Sequence, residues 1–212
     1  RKNWIFELRD IWPESIYTLG AIKNKYVISI LEKIELALYK DAKVVIPVTH
    51  SFKNNLIKRN IDPKKITVIT NGVDRNIYKP LNKNLKLQNE LNLNGKFVVG
   101  YFGTHGLAHG LDFIIKSSKK INSDKIHFLF VGDGSEKNSL IRLADKYNIS
   151  NISFVDSVSE NKIIEYISLS DISLINLKKN DTFKSVIPSK MFNVASMQKA
   201  ILLGVDGEAR SI

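Results

Sequence analysis

The chain contains no cysteine, which excludes a disulfide framework and any thiolate-held metal and fits a reducing compartment. Histidine is scarce: His50, His105, His109 and His127 show no HExxH spacing and no acidic cluster nearby, so no protein-bound metal is expected. No apolar run approaches the roughly 20 residues of a spanning helix, and the N-terminus lacks a signal-peptide core. A soluble or peripheral protein is expected. Acidic residues are few beside basic ones, 21 against 32, for a net charge of +11. Residues 1–79 hold 15 Lys and Arg against 8 Asp and Glu, so the excess is greatest there. Such a field attracts nucleic acid, anionic lipid and phosphorylated ligands alike, and a scattered, solvating lysine surface is the default explanation. A basic patch interleaved with aromatics, as single-strand binding uses, is missing; nucleic acid is not an expected partner.

What is present suits a globular α/β protein. With 43% hydrophobic residues over 212 positions, the chain can bury a core. It begins at Arg1 without a methionine and ends at GEARSI, which reads as part of a longer protein. Short runs rich in β-branched and aromatic residues recur: WIFEL, KVVIPV (43–48), KITVI (65–69), KFVVGYF (96–102), IHFLFVG (126–132), ISFV (152–155), ISLINL (172–177) and AILLGV (200–205). They predict buried strands. Between most of them apolar residues at three-to-four spacing predict helices over 26–39, 51–59, 111–121, 135–147, 160–169 and 189–197. Strict alternation of this kind means parallel sheets covered on both faces.

One stretch breaks the alternation. PLNKNLKLQNELNLNG (80–95), preceded by the turn signal Asn71-Gly72-Val73-Asp74, is polar and asparagine-rich. It divides the chain into residues 1–77, the end of one Rossmann-like unit whose beginning is missing, a junction at 78–95, and a second unit at 96–212 with five strands.

In open parallel sheets ligands bind beyond the carboxyl ends of the strands, which directs attention to the residues just after each run. GTHGLAHG (103–110) offers Gly103 and Gly106 with Thr104 and His105 between them, ahead of a helix. Glycines admit a close ligand and helix-terminal amides favour phosphate, but neither the dinucleotide nor the P-loop spacing is met, and a tight strand-to-helix turn explains the loop equally well. After IHFLFVG, Asp133 or Ser135 can cap the next helix. After ISFV, the backbone of Asp156, Ser157 and Val158 can pair with a planar base. After ISLINL come Lys178, Lys179, Lys184 and Lys190, ending at a Pro188-Ser189 helix start. Four lysines at a sheet's carboxyl edge point to a pyrophosphate site.

The order of these motifs resembles the family-4 retaining glycosyltransferases of the GT-B fold: NGVD (71–74), the glycine turn, VGDG (131–134), FVDSVSENKIIEYISLSDISLI (154–175), then PSKMF and KAILLG. RDIWPESI (9–16) and GVDGEAR (204–210) narrow the likeness to the branch that adds amino sugars such as N-acetyl-fucosamine to lipid-linked glycans of bacterial surface polysaccharides. The resemblance implies a UDP-sugar donor, a lipid-linked glycan acceptor, and cytoplasmic residence with peripheral attachment to the inner face of the membrane. It implies no cofactor and no metal. It places Ser189 and Lys190 at the donor diphosphate and Asn193 at the ribose.

Two departures stand out. The family's paired acids, eight positions apart, correspond to Ser185 and Asn193, and the basic residues expected after the second unit's first strand are replaced by Thr104 and His109. Lys184 and Lys190 are the expected replacement charges, with the backbone around Gly103–Gly106 assisting them at the β-phosphate, where leaving-group charge builds. His105 is either a contact for the sugar or β-phosphate or a surface imidazole. RDIWPES follows the first strand, so Arg9, Asp10 and Glu14 are expected on the acceptor side. The segment 23–43, apolar on one face and lysine-bearing, is either a membrane-surface helix or an ordinary sheet-covering one. A non-catalytic nucleotide-sugar-binding paralogue and a UDP-sugar epimerase of the same fold are the alternatives; the acids and histidines an epimerase depends on are not found at matching positions.

Overall fold

The computed structural model describes residues 3–121 and 123–212, which form two units. The first comprises residues up to Asn71 with Lys179–Ile187 and Val205–Ile212; the second comprises Gly72–Lys178 and Pro188–Gly204.

In the first unit β1 (Ile5–Leu8) and β2 (Val44–Pro47) pair in parallel. They are linked by α1 (Glu14–Thr18) and α2 (Lys25–Asp41). Asn24 starts α2 by accepting from the amides of Tyr26 and Val27, and Thr49 caps α3 (His50–Lys58) through the Phe52 amide. Leu8, Tyr39, Val45, Phe52 and Leu56 close the core. The expected third strand, KITVI, is reduced to a single bridge between Val45 and Ile66. Only the Thr67 and Ile69 amides reach β2, bonding Val45 O and Pro47 O, and Ile69 stays 56% exposed. With a neighbour on one side alone, the segment gains half the ladder of an inner strand.

The sequence reading assigned 179–187 and 205–212 to the second unit; their contacts put them in the first. Thr182 Oγ1 lies 3.1 Å from Thr18 Oγ1, and the Glu208 carboxylate accepts from the His50 and Ser51 amides at 2.7 and 2.9 Å, an acid at the positive end of α3.

The second unit contains five parallel strands: β3 (Phe97–Phe102), β4 (Ile126–Val131), β5 (Ile152–Val155), β6 (Ile172–Asn176) and β7 (Ala200–Gly204). Their order is β5-β4-β3-β6-β7. Alternate residues of β3 enter separate cores, Val98 and Phe102 in one, Val99 and Tyr101 in the other, which is why the strand reads as an unbroken apolar run. The second of these cores takes α5 (Leu111–Ser118) and α6 (Lys137–Lys146); the first takes α7 (Glu160–Leu169). α8 (Lys190–Ser196) precedes β7. The polar stretch expected as a junction with at most a short helix packs into this unit: α4 (Leu85–Glu90) is capped by Asn84 and Leu93 is fully buried. Strand order reverses between β3 and β6, the position where such sheets open a ligand crevice.

Candidate functional site

The carboxyl ends of β3, β4 and β6 meet α8 around the ring of Tyr101. This side chain, near the end of β3, is 1% exposed, and its hydroxyl donates to Thr104 O at 2.7 Å. Lys190, the first residue of α8, donates from Nζ to Tyr101 Oη at 2.9 Å and places that ammonium 4.1 Å from the ring centroid, a cation–π geometry. Among the described residues no carboxylate pairs with it. Burial pushes its pKa down to about 7, because a charge without a counter-ion is costly away from water.

Lys190 also faces the glycine turn. Gly103 has φ +127°, and a Cβ there would lie 3.1 Å from Lys190 Nζ; the absence of a side chain leaves the ammonium beside bare backbone. The turn after β4 presses on the turn after β3 more tightly still, since a Cβ on Gly132 would sit 2.0 Å from Gly103 O. The Gly103 amide bonds Val131 O, and the His105 amide bonds Asp133 O.

For His105 the surface alternative fails. Its ring is 0% exposed, between Tyr101, Phe130 and Phe154 at centroid distances of 5.7, 6.2 and 6.3 Å, so it is no surface imidazole. Both ring nitrogens lack a partner. The His109 ring also packs on Tyr101, at a centroid distance of 5.9 Å, with Nδ1 likewise unpartnered. Burial first, then neighbouring lysine charge, holds each imidazole down to about 4, so both are neutral near pH 7.

The remaining predicted residues divide by unit. Thr104, Asp133, Asp156 and Ser157 are exposed, Gly106 and Val158 half-buried, all at the carboxyl edge of the second sheet. Asp133 accepts from the Gly134 amide. Ser189 stands ahead of α8 but has helical dihedrals and makes no side-chain cap. The Met191 and Phe192 amides bond Pro188 O and Ser189 O, which leaves the Lys190 side chain as the main positive group there. Asn193 lies three residues along, on the same face of α8. Lys184 belongs to the other unit, where it pairs with Asp181 at 2.7 Å. Also in the first unit, Arg9 donates to Asn71, Asp10 is exposed, and Glu14 accepts from Thr182. Glu14 lines a polar cavity of about 410 Å³ with Asn54, Asn55, Lys58 and Asp181.

Sequence reasoning missed Tyr101, which reads as one more apolar strand residue, and Lys137, which reads as the start of a helix. It also missed Asn176, whose amide donates to His109 O and ties β6 to the glycine turn. Among the described residues no three His, Asp or Glu side chains gather as a metal site, and no helix is long and apolar enough to cross a membrane.

Two family models match the chain: glycosyl transferases group 1 over residues 82–183 and glycosyltransferase family 4 over residues 11–77. The chain is 20% identical over 202 residues to the probable glycosyltransferase WbjE of Pseudomonas aeruginosa, covering 94% of this chain and 50% of WbjE. Its structure is similar to that of HepE from Anabaena in complex with UDP and glucose, with a TM-score of 0.80 at 17% identity, covering 100% of this chain and 55% of HepE. It is also similar to WaaG, a glycosyltransferase involved in lipopolysaccharide biosynthesis, with a TM-score of 0.76 at 16% identity, covering 98% of this chain and 58% of WaaG. The chain thus spans about half the length of these relatives.

Proposed function

From a chain with the GT-B fold of group 1 and family 4 glycosyltransferases, we propose a sugar transferase that takes an amino sugar from a UDP-sugar and passes it, with retention and without a metal, to a lipid-linked glycan of a bacterial surface polysaccharide. One observation carries this reading: the Lys190 ammonium is held without a carboxylate against the bare backbone of Gly103, at the strand-order reversal of a parallel sheet. A diphosphate is the counter-ion such a site accepts. The complexes of HepE with UDP and with UDP-glucose support uracil as the base.

With the diphosphate along the Gly103–Gly106 turn, the chain's own groups act on the leaving phosphate. Tyr101 orients Lys190 through both its hydroxyl and its ring. Lys190 stabilises the charge that grows on the β-phosphate as the glycosidic bond breaks. Asn193 pairs with ribose hydroxyls, and the Asp156–Val158 backbone pairs with the base. Arg9, Asp10 and Glu14 serve the acceptor side. The acceptor is reached at the inner membrane face, which the basic first third supports together with the stripe Tyr26, Ile30, Ile34 and Leu38 exposed at four-residue steps on α2. Salt-sensitive sedimentation with anionic vesicles tests that attachment, and its absence at low salt would remove it.

Titration calorimetry with UDP, GDP, dTDP and ADP, with and without magnesium, tests the donor site. UDP-selective binding that ignores magnesium and is lost in Lys190→Ala is the expected result; equal, steeply salt-dependent binding of all four would refute it. Ser185 and Asn193, standing where the family carries acids, favour a second reading as a non-catalytic nucleotide-sugar-binding paralogue. Measured sugar transfer by the protein excludes it.

A further inference from the structure

Lys137 opens α6, yet its side chain turns inward and is 7% exposed. Its Nζ donates to Gly132 O at 2.9 Å, to Val155 O at 3.3 Å and to the Asp156 carboxylate. A lysine is seldom buried unless paired, and here all three ammonium protons are used. The three acceptors belong to the ends of two different strands: Gly132 follows β4, while Val155 closes β5 and Asp156 follows it.

The neighbouring loops are already joined by backbone. Gly103 N bonds Val131 O, His105 N bonds Asp133 O, and Glu136 N bonds His105 O. The loop after β5 is held differently. The Gly132 amide reaches Val155 O, but beyond that carbonyl Asp156 is 93% exposed and is anchored by Lys137. The shelf formed by the turns after β3 and β4 therefore continues to the third loop through one side chain.

We propose that Lys137 is a positioning residue that fixes the distance between the glycine turn and the Asp156–Val158 edge, so that the diphosphate and the base of one nucleoside diphosphate are bound together. This rests on the donor-site reading above. Two subsites linked in one ligand multiply their affinities only when their spacing matches it. Lys137 thereby acts on nucleotide affinity without touching the ligand.

The test compares UDP with inorganic pyrophosphate, by calorimetry, and adds amide hydrogen exchange of the ligand-free protein. Lys137→Met keeps the apolar stem and removes the three donors. The expected result is UDP binding weakened tenfold or more, pyrophosphate binding changed less than twofold, and faster exchange at 156–158 with none at 103–106. Lys137→Arg, which keeps a cation, restores part of the UDP affinity. Unchanged UDP affinity in Lys137→Met, or an equal loss for pyrophosphate, overturns the proposal. Should that variant fail to fold, Asp156→Ala at its exposed position removes the same tether, and unchanged exchange at 157–158 would overturn the proposal as well. Wild-type protein that binds no UDP would instead remove the donor-site reading itself.

Discussion

Lys190, the buried His105 and the half-buried His109 share one aromatic ring, and their titration separates their roles. The Lys190 ammonium loses its proton near pH 7 in the free protein, and only the charged form is a full partner for a diphosphate. UDP affinity is therefore expected to fall as pH rises through 7, by about tenfold between pH 6.5 and 8.5. Lys190→Arg, charged throughout that range, flattens the profile; a profile in Lys190→Arg as steep as wild type would assign the titration elsewhere. His105 and His109 act on stability. Their folded values of about 4 lie below the ordinary 6.5, so between those values the unfolded chain takes up protons that the folded chain refuses. Stability is full above pH 6.5 and is lost as pH falls toward 4, by on the order of 1–3 kcal/mol for each histidine. Denaturant midpoints at pH 7.5 and 5 measure this, and His105→Phe should lessen the difference. The sequence singled out Lys190 for the diphosphate but not its partner, because Tyr101 and Lys190 are 89 residues apart and no local pattern marks either as the other's partner.

The first unit shows what one buried charge does between elements. Glu35 on α2 is 5% exposed and accepts from Tyr39 Oη and from Arg59 Nη2 just beyond α3. Desolvation and the adjacent carboxylate hold the Tyr39 hydroxyl well above its usual range. Arg59→Leu leaves that carboxylate buried without a cation and is expected to cost about 3–5 kcal/mol, whereas Glu35→Leu with Arg59→Leu costs much less. Chemical denaturation of the two variants decides, and equal losses would contradict the account. Elements were the most legible level. α3 and α7 follow from apolar spacing with Thr49 or Ser159 ahead of them, and the five strands of the second sheet fall within the runs that predicted them. KITVI failed as a strand because a ladder needs partners that composition does not reveal. α4 is the short helix that the junction allowed; its six residues in an asparagine-rich stretch carry too little periodicity to place its ends, although Asn84 is a sound cap.

For the whole molecule, the alternation of strands and helices was legible, since it follows from how parallel sheets are connected. The assignment of Lys179–Ile187 and Val205–Ile212 was not, because it depends on Thr182 meeting Thr18 and on Glu208 meeting the start of α3, contacts that span most of the chain. Lys184 is paired with Asp181, whereas among the described residues no carboxylate pairs with Lys190, so Lys190 is the group proposed to carry the diphosphate. Its removal should cost about 1.5–3 kcal/mol of nucleotide affinity, the range of a charge-assisted hydrogen bond. Calorimetric titration of UDP into the wild-type chain and into Lys190→Met at pH 6.5 measures it directly. Magnesium-independent binding that weakens at least tenfold in the variant is the expected result; equal affinity in the two proteins would take the diphosphate away from Lys190.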